Sequence, residues 1–248
     1  MRGRRILALA ALSLAASSCA GRTGPAKVSP TTSQAGAGAP AQEARPTGRA
    51  QSTVAEATRE SVAIYERPGA PSPKMRLRHP QESGAPLVFL VRREQPDWLE
   101  VLLPVRPNGS TGWIRTRDVS LSHHDYRIVV ELSAHRITVY KGAEVFLQEP
   151  VGVGKGNTPT PGGSYYTKEL LQPPDPNTVY GPYAYGLSGF SNVFSRFGKG
   201  EGVIGIHGNN DPSALGKDVS AGCIRMSNSG ITKLAKTLPL GVPVEIRP

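Results

Sequence analysis

The segment YRIVVELSAHRITVYKGAEVF, 126–146, constrains the fold most strongly. RIVVEL and RITVY alternate apolar and polar residues and are rich in β-branched side chains. A period of two puts successive side chains on opposite faces of a strand and builds no helical stripe. KGAE at 141–144 supplies a turn and a further strand run follows. The same reading applies upstream, in PLVFLVRREQPDWLEVLLPVRPNGSTGWIRTRDVSL at 86–121. Here LVFLV and WLEVLLPV are short β-rich runs, PNGSTG is a hairpin loop and GWIRTRDV is the returning strand. Helical spacing is visible in ITKLAKTL, with Ile231, Leu234, Ala235 and Leu238. The chain is expected to be mainly β, with one or two short helices.

The N-terminus has a different character. Arg2, Arg4 and Arg5 precede a short apolar run at 6–16 and small residues lead to Cys19. This is an export-leader pattern, too short to span a bilayer as a helix. A cysteine directly after small residues also matches a lipoprotein leader, so residues 1–19 read as a signal peptide with Cys19 as the lipidation site. Cleavage by an ordinary signal peptidase is the alternative. The stretch 20–58 is Ala, Gly, Pro, Ser, Thr and Gln, with only Val28 and Val54 as branched aliphatics. It lacks the apolar area to offset ordering entropy and reads as a disordered linker. A β module is expected over 59–122 and a second β-rich domain over 126–248. The Pro-, Gly- and Tyr-rich stretch 170–194 reads as a long loop, and loops of that length in compact domains are usually functional. His123 and His124 read as exposed junction residues and His135 as a surface residue.

Charge and cysteine count narrow the function. The formal charge is +10, about +7 without the leader. With no interleaving of aromatic and basic residues, an exported basic chain is expected to meet anionic lipid and wall polymer rather than nucleic acid, and a merely soluble basic surface is the equal alternative. The two cysteines are Cys19 and Cys223. Once Cys19 is removed or blocked, Cys223 has no intramolecular partner, and an unpaired cysteine in an exported chain is a reactive thiol or an intermolecular bridge.

GIHGNNDPSALGKDVSAGCIRM, 205–226, surrounds that thiol, with His207 sixteen positions before Cys223. A cysteine nucleophile needs a base or imidazolium to reach the thiolate, because its free pKa is about 8.5. A histidine base needs a third group on its other nitrogen, and the carbonyl of the uncrowded Gly208 can serve. The N–H groups of Gly222 and Cys223 can form an oxyanion hole. Arg225 can bind a substrate carboxylate. From the residues alone, a buried structural cysteine with an unrelated histidine stays equally open. A metal site is poorly supported, since Cys223 and His207 have no further ligands at metal spacing. No cofactor is expected.

His207-Gly208 followed by Ser220-Ala221-Gly222-Cys223-Ile224-Arg225-Met226 resembles the signature of L,D-transpeptidases with a YkuD-type catalytic domain. The resemblance extends to VGVGKGNTPTPGG and GPYAYGLSG and covers the chain from Tyr126 onward. One departure is Ala221, where many members carry histidine. The resemblance implies that Cys223 is the nucleophile, His207 the base and the Gly208 carbonyl its orienter. Ser220 then supports His207, while Arg225, Tyr183 and Asn209 line the substrate site. It further implies peptidoglycan stem peptides as partners, 3→3 cross-links formed through a thioester, trapping by carbapenems and a place at the outer face of the membrane. Hydrolysis of the same thioester would make a carboxypeptidase, and a non-catalytic wall-binding lipoprotein is the third reading. Sortases, with Cys and His much farther apart, and papain-like wall peptidases, with Cys before His, fit less well. Trp98 and Trp113 give 59–122 a weaker similarity to bacterial SH3-like barrels, which implies a wall-binding or propping module.

Overall fold

The computed structural model describes residues 51–197 and 200–248. Cys19, the leader 1–19 and most of the linker reading lie outside the described residues. The N-terminal half contains β1 (Ser52–Ala57), β2 (Ser61–Ile64), β3 (Met75–Arg78), β4 (Val88–Gln95), β5 (Trp98–Leu102), β6 (Thr111–Arg115) and β7 (Val119–His124). Five of them form an antiparallel sheet in the order β6-β5-β4-β1-β7, and β2 pairs with β3. Apolar residues on one face of these strands, Ala55, Val62, Ile64, Phe89, Leu99, Val101 and Ile114, bury one another in a small core. Trp98 and Trp113 are both buried, and Trp98 meets the Tyr65 ring edge-on at 5.0 Å.

The linker reading ran too far. β1 lies inside 20–58 and occupies an interior position of the five-stranded sheet. Ala55 and Ala57 are small enough to pack under Phe89 and Leu87, so the strand needs little apolar bulk of its own. The module accordingly spans 52–124 rather than 59–122. His124, expected exposed, is buried in β7. Its Nδ1 accepts the Tyr126 N–H at 3.2 Å, and burial lowers its pKa below the usual histidine value.

The second half contains β8 (Tyr126–Glu131), β9 (Arg136–Lys141), β10 (Glu144–Pro150), β11 (Val153–Gly154), β12 (Gly163–Leu171), β13 (Ala184–Phe190), β14 (Arg196–Phe197), β15 (Gly200–Glu201), β16 (Val203–His207), β17 (Asp218–Ser220), β18 (Ile224–Arg225), α1 (Asn228–Ala235) and β19 (Pro243–Arg247). Eight strands form one sheet in the order β10-β9-β8-β19-β12-β13-β16-β18. The β8–β19 and β16–β18 pairs are parallel, and the other neighbours are antiparallel. The period-two reading of 126–146 is realised in β8, β9 and β10. Ile128, Val130, Ile137 and Val139 enter a core shared with Tyr185, Leu187, Ile204, Ile206, Ile224 and Met226.

The helical spacing near residue 231 is realised in α1, the single α-helix among the described residues. Ser227 caps it, its hydroxyl accepting the Gly230 N–H at 2.9 Å. Ile231 and Leu234 carry its buried stripe into the core. The Tyr185 hydroxyl reaches both the Leu234 and Leu238 carbonyls at 3.2 Å. The expected long loop 170–194 is shorter. β12 and β13 take both its ends and leave 172–183 as the connection. His135 sits at the β8–β9 turn with φ 46° and pairs with Asp218 at 2.8 Å.

All described residues fall in one compact unit, and the two halves share apolar surface. Tyr166 of β12 is fully buried among Val54, Val88, Leu90 and Leu102. Its hydroxyl donates to the Val88 carbonyl at 2.9 Å. Burying one large side chain in this way stabilises by roughly 1.5–3 kcal/mol. A cavity of about 220 Å3 lies at the same junction, lined in part by Arg92, Asp125, Arg127 and Glu245. It contains neither His207 nor Cys223.

Candidate active site

β16 sits between β13 and β18 and carries His207 at its end. Ala184 is opposite His207 on one side, and Arg225 is opposite it on the other. Cys223 immediately precedes β18 and lies two residues before Arg225. Gly205 stands two residues before His207. A Cβ there would come within 2.8 Å of the Tyr185 carbonyl, and the Gly205 backbone approaches the Cys223 sulfur closely enough to hydrogen-bond it. The strand order thus brings Arg225 opposite His207 and the Cys223 thiol against the Gly205 backbone.

His207 is 4% exposed. Its Nδ1 meets the Gly208 carbonyl at 2.7 Å, which assigns the proton to Nδ1 and leaves the Nε2 lone pair for a thiol. The Tyr180 ring packs edge-on against the imidazole at 5.1 Å. Burial lowers the His207 pKa to about 4, the Gly208 carbonyl opposes this, and the Arg225 charge adds to it. The His207 imidazole is therefore neutral at pH 7.

Cys223 is half-buried and free. Burial pushes its thiol up, against smaller opposing effects from the Gly205 backbone and Arg225. This differs from the expectation of a thiolate formed below the free value. A buried neutral imidazole provides no cation, so desolvation wins. A neutral thiol and a neutral imidazole suit proton removal during attack rather than a standing ion pair.

Ser220 is placed differently from the role that the resemblance implied. Its hydroxyl donates to the Cys223 carbonyl at 2.6 Å and accepts the Gly222 N–H at 3.0 Å. It closes the turn that presents the thiol, with both of its bonds inside 220–223 rather than on His207. Gly222 has φ 116°, a conformation that side chains disfavour. Its N–H is engaged by Ser220, so it does not face a reacting carbonyl here as expected. The Ser220 carbonyl accepts from Thr158 Oγ1 at 3.0 Å. Thr158, from the Thr-Pro loop, therefore anchors the turn from beneath, a role its sequence context did not signal.

Asn209 is buried with both ends of its carboxamide on protein. Nδ2 donates to the Met226 carbonyl at 3.3 Å, and Oδ1 accepts the Asp211 N–H at 2.6 Å. In this structure it braces the wall. Tyr183 reaches the site through its backbone, its carbonyl accepting the Gly208 N–H at 3.2 Å. Arg225 is half-buried. Its backbone exchanges two 2.8 Å bonds with Gly152, and its buried Nε has no hydrogen-bond partner among the described residues. No group of three or more His, Cys, Asp or Glu able to hold a metal occurs among the described residues.

A buried imidazole held by its neighbour's carbonyl, one strand away from the turn that carries a free thiol, is an arrangement able to support acyl transfer on a β fold. Residues 125–246 match the L,D-transpeptidase catalytic domain family known as YkuD. YkuD of Bacillus licheniformis is 36% identical over 123 residues, which cover 50% of this chain and 66% of that protein. YqjB of Bacillus subtilis is 30% identical over 132 residues, covering 49% of this chain and 71% of that protein. Among solved structures, an L,D-transpeptidase from Mycobacterium tuberculosis H37Rv aligns at 15% identity and TM-score 0.43, over 65% of this chain and 90% of that one. The chain belongs to the L,D-transpeptidase catalytic domain family. It spans just under two thirds of the length of YkuD.

Proposed function

We propose that this chain is a peptidoglycan L,D-transpeptidase that cross-links stem peptides through a thioester on Cys223. The observation that carries this reading is the 2.7 Å contact of His207 Nδ1 with Gly208 O, on a strand whose register sets His207 opposite Arg225, two residues after Cys223. As Cys223 Sγ attacks the carbonyl of the third stem residue, His207 Nε2 takes the thiol proton. Collapse of the tetrahedral oxyanion breaks the amide bond, and the departing terminal D-alanine amine takes that proton from His207. The side-chain amine of a second stem then attacks the thioester and gives its proton to His207. The leaving Cys223 sulfur recovers it, and a 3→3 cross-link remains. Arg225, with an unpartnered Nε, is suited to hold the carboxylate of the donor stem.

The decisive experiment incubates residues 51–248 with disaccharide-tetrapeptides and weighs the products. Dimers support transfer. Tripeptide monomers alone mean that water takes the thioester, and the protein is then a carboxypeptidase. Unchanged tetrapeptide means a non-catalytic wall binder.

The N-terminal half fits the SH3-like reading in its two buried tryptophans, and the apolar contacts around Tyr166 favour a propping role for it. The sequence of 1–19 supports export and attachment at the envelope through a lipid on Cys19. Wild type partitioning with membranes, and release or blocked processing of Cys19→Ser, would support the anchor. A soluble wild type with a free amine elsewhere would remove it.

A further inference from the structure

The Gly208–Asn209 peptide unit is held at both ends. Its carbonyl meets His207 Nδ1 at 2.7 Å. Its N–H, contributed by Asn209, donates to Asn228 Oδ1 at 2.8 Å. In a trans peptide the N–H and C=O point in opposite directions within one plane, so an acceptor that captures the N–H also aims the carbonyl. Glycine at 208 makes this peptide unusually free to rotate. Rotation would turn the carbonyl away from the imidazole and release the Nδ1 proton.

Asn228 is also fitted to this place by shape. A Cβ at Gly208 would stand 2.3 Å from Asn228 Oδ1, and one at Gly181 would stand 2.4 Å from it. Gly181 has φ 64° and ends the loop that carries Val179 and Tyr180. The carboxamide therefore packs between the two glycines, touching both the turn that orients the base and the loop that covers it. Asn209, bonded to the Met226 carbonyl, and the Met226 N–H, donating to the His207 carbonyl at 2.9 Å, fix the rest of the frame.

We propose that Asn228 is a positioning residue for His207, acting through the Gly208–Asn209 peptide to keep the imidazole proton on Nδ1 and Nε2 free to accept from Cys223. The proposal assumes that His207 is the base in the function read above. The groups facing the imidazole are the Gly208 and Val179 carbonyls, the Tyr180 ring and Arg225.

The test needs no wall substrate. Alkylation of Cys223 by iodoacetamide at pH 7 is followed by intact mass in the wild type, His207→Ala, Asn228→Ala and Asn228→Asp. Misplacing the base should slow Asn228→Ala toward the His207→Ala rate, by up to ~10²-fold. Asn228→Asp keeps the acceptor and should restore the rate to within about threefold of wild type, as expected for a loss confined to orientation. Equal rates in the wild type and a folded Asn228→Ala overturn the proposal. If Asn228→Ala does not fold, long-range nitrogen-15 correlation on the wild type decides. An imidazole protonated on Nδ1 at pH 7 supports the proposal, and one protonated on Nε2 overturns it. A wild type that alkylates as expected but transfers no stem peptide sinks the transpeptidase reading and leaves this assignment standing.

Discussion

Asn108 and Phe190 are joined by two hydrogen bonds of 2.8 Å: the Asn108 Nδ2 donates to the Phe190 carbonyl, and its Oδ1 accepts the Phe190 N–H. A carboxamide carries the same donor and acceptor as a peptide, so this side chain continues the ladder beyond β13 as a neighbouring strand would. Arg106 reinforces it, donating to the Ser191 and Phe194 carbonyls at 2.9 and 3.0 Å and lying 4.8 Å from the Phe190 ring centre. The N-terminal half thereby grips the root of the segment leading into β16. Asn108→Ala strands two partly buried backbone groups and should cost ~1–3 kcal/mol. A drop of about 2–4 °C in melting temperature per kcal/mol is expected at this size. An unchanged melting temperature would show the contact to be energetically idle.

The thiol should be the single point of acylation. The family resemblance implies that carbapenems mimic the donor stem, so the folded wild type is expected to gain one carbapenem mass on the peptide containing Cys223. Cys223→Ala should gain none, and His207→Ala should acylate ~10²–10⁴-fold more slowly. Intact-mass kinetics measure all three. Near-normal acylation of a folded His207→Ala protein would remove the histidine from the mechanism. Because burial raises the thiol pKa, the uncatalysed alkylation rate of His207→Ala should still be climbing above pH 9.

Stability should fall on both sides of a neutral plateau. His207 drops from 6.5 unfolded to about 4 folded, so between these values the unfolded chain binds more protons and acid favours it. The contribution is whole above about pH 6.5 and is lost as pH falls through 4; it amounts to about 3 kcal/mol. His124, also lowered by burial, adds in the same direction. Cys223, raised above its ordinary value, removes stability as pH climbs past the unfolded value. Urea denaturation from pH 4 to 10 traces the plateau. If His207→Gln leaves the acid limb unchanged, the limb belongs to other groups.

Ser220→Ala should damage the thiol turn more than the fold. Both bonds of its hydroxyl lie within 220–223, and losing a buried donor and acceptor pair costs ~1–3 kcal/mol. Carbapenem acylation should slow, and Ser220→Thr, which keeps the hydroxyl, should recover most of the rate. A Ser220→Ala protein that acylates at the wild-type rate would show that the turn holds its shape without that hydroxyl.

Membership of the family was legible because the motif around His207 and Cys223 is written in consecutive residue types, which need no structure to be read. β8 and β9 were legible because a half-buried strand writes its period into the chain. β1 was not, since Ala55 and Ala57 bury well while looking like linker. The direction of the Cys223 shift was hidden because desolvation depends on what covers the sulfur, which the strand order decides. Asn228 left no signal at all: its partner is a backbone N–H, which every residue except proline possesses.

The placement of β19 has a consequence for how the chain becomes active. It pairs in parallel with β8 at Ile128↔Val244 and antiparallel with β12 at Tyr165↔Val244, so the middle of the eight-stranded sheet joins the two ends of the catalytic half. The hairpins β8–β9 and β12–β13 can form from near neighbours, but the plank between them must arrive across a long loop, and such pairings are entropically slow to form. β16 and β18 join this sheet through β13, on the far side of that plank. Its docking is therefore the long-range step that unites the β8 side of the sheet with the edge that carries His207 and Arg225.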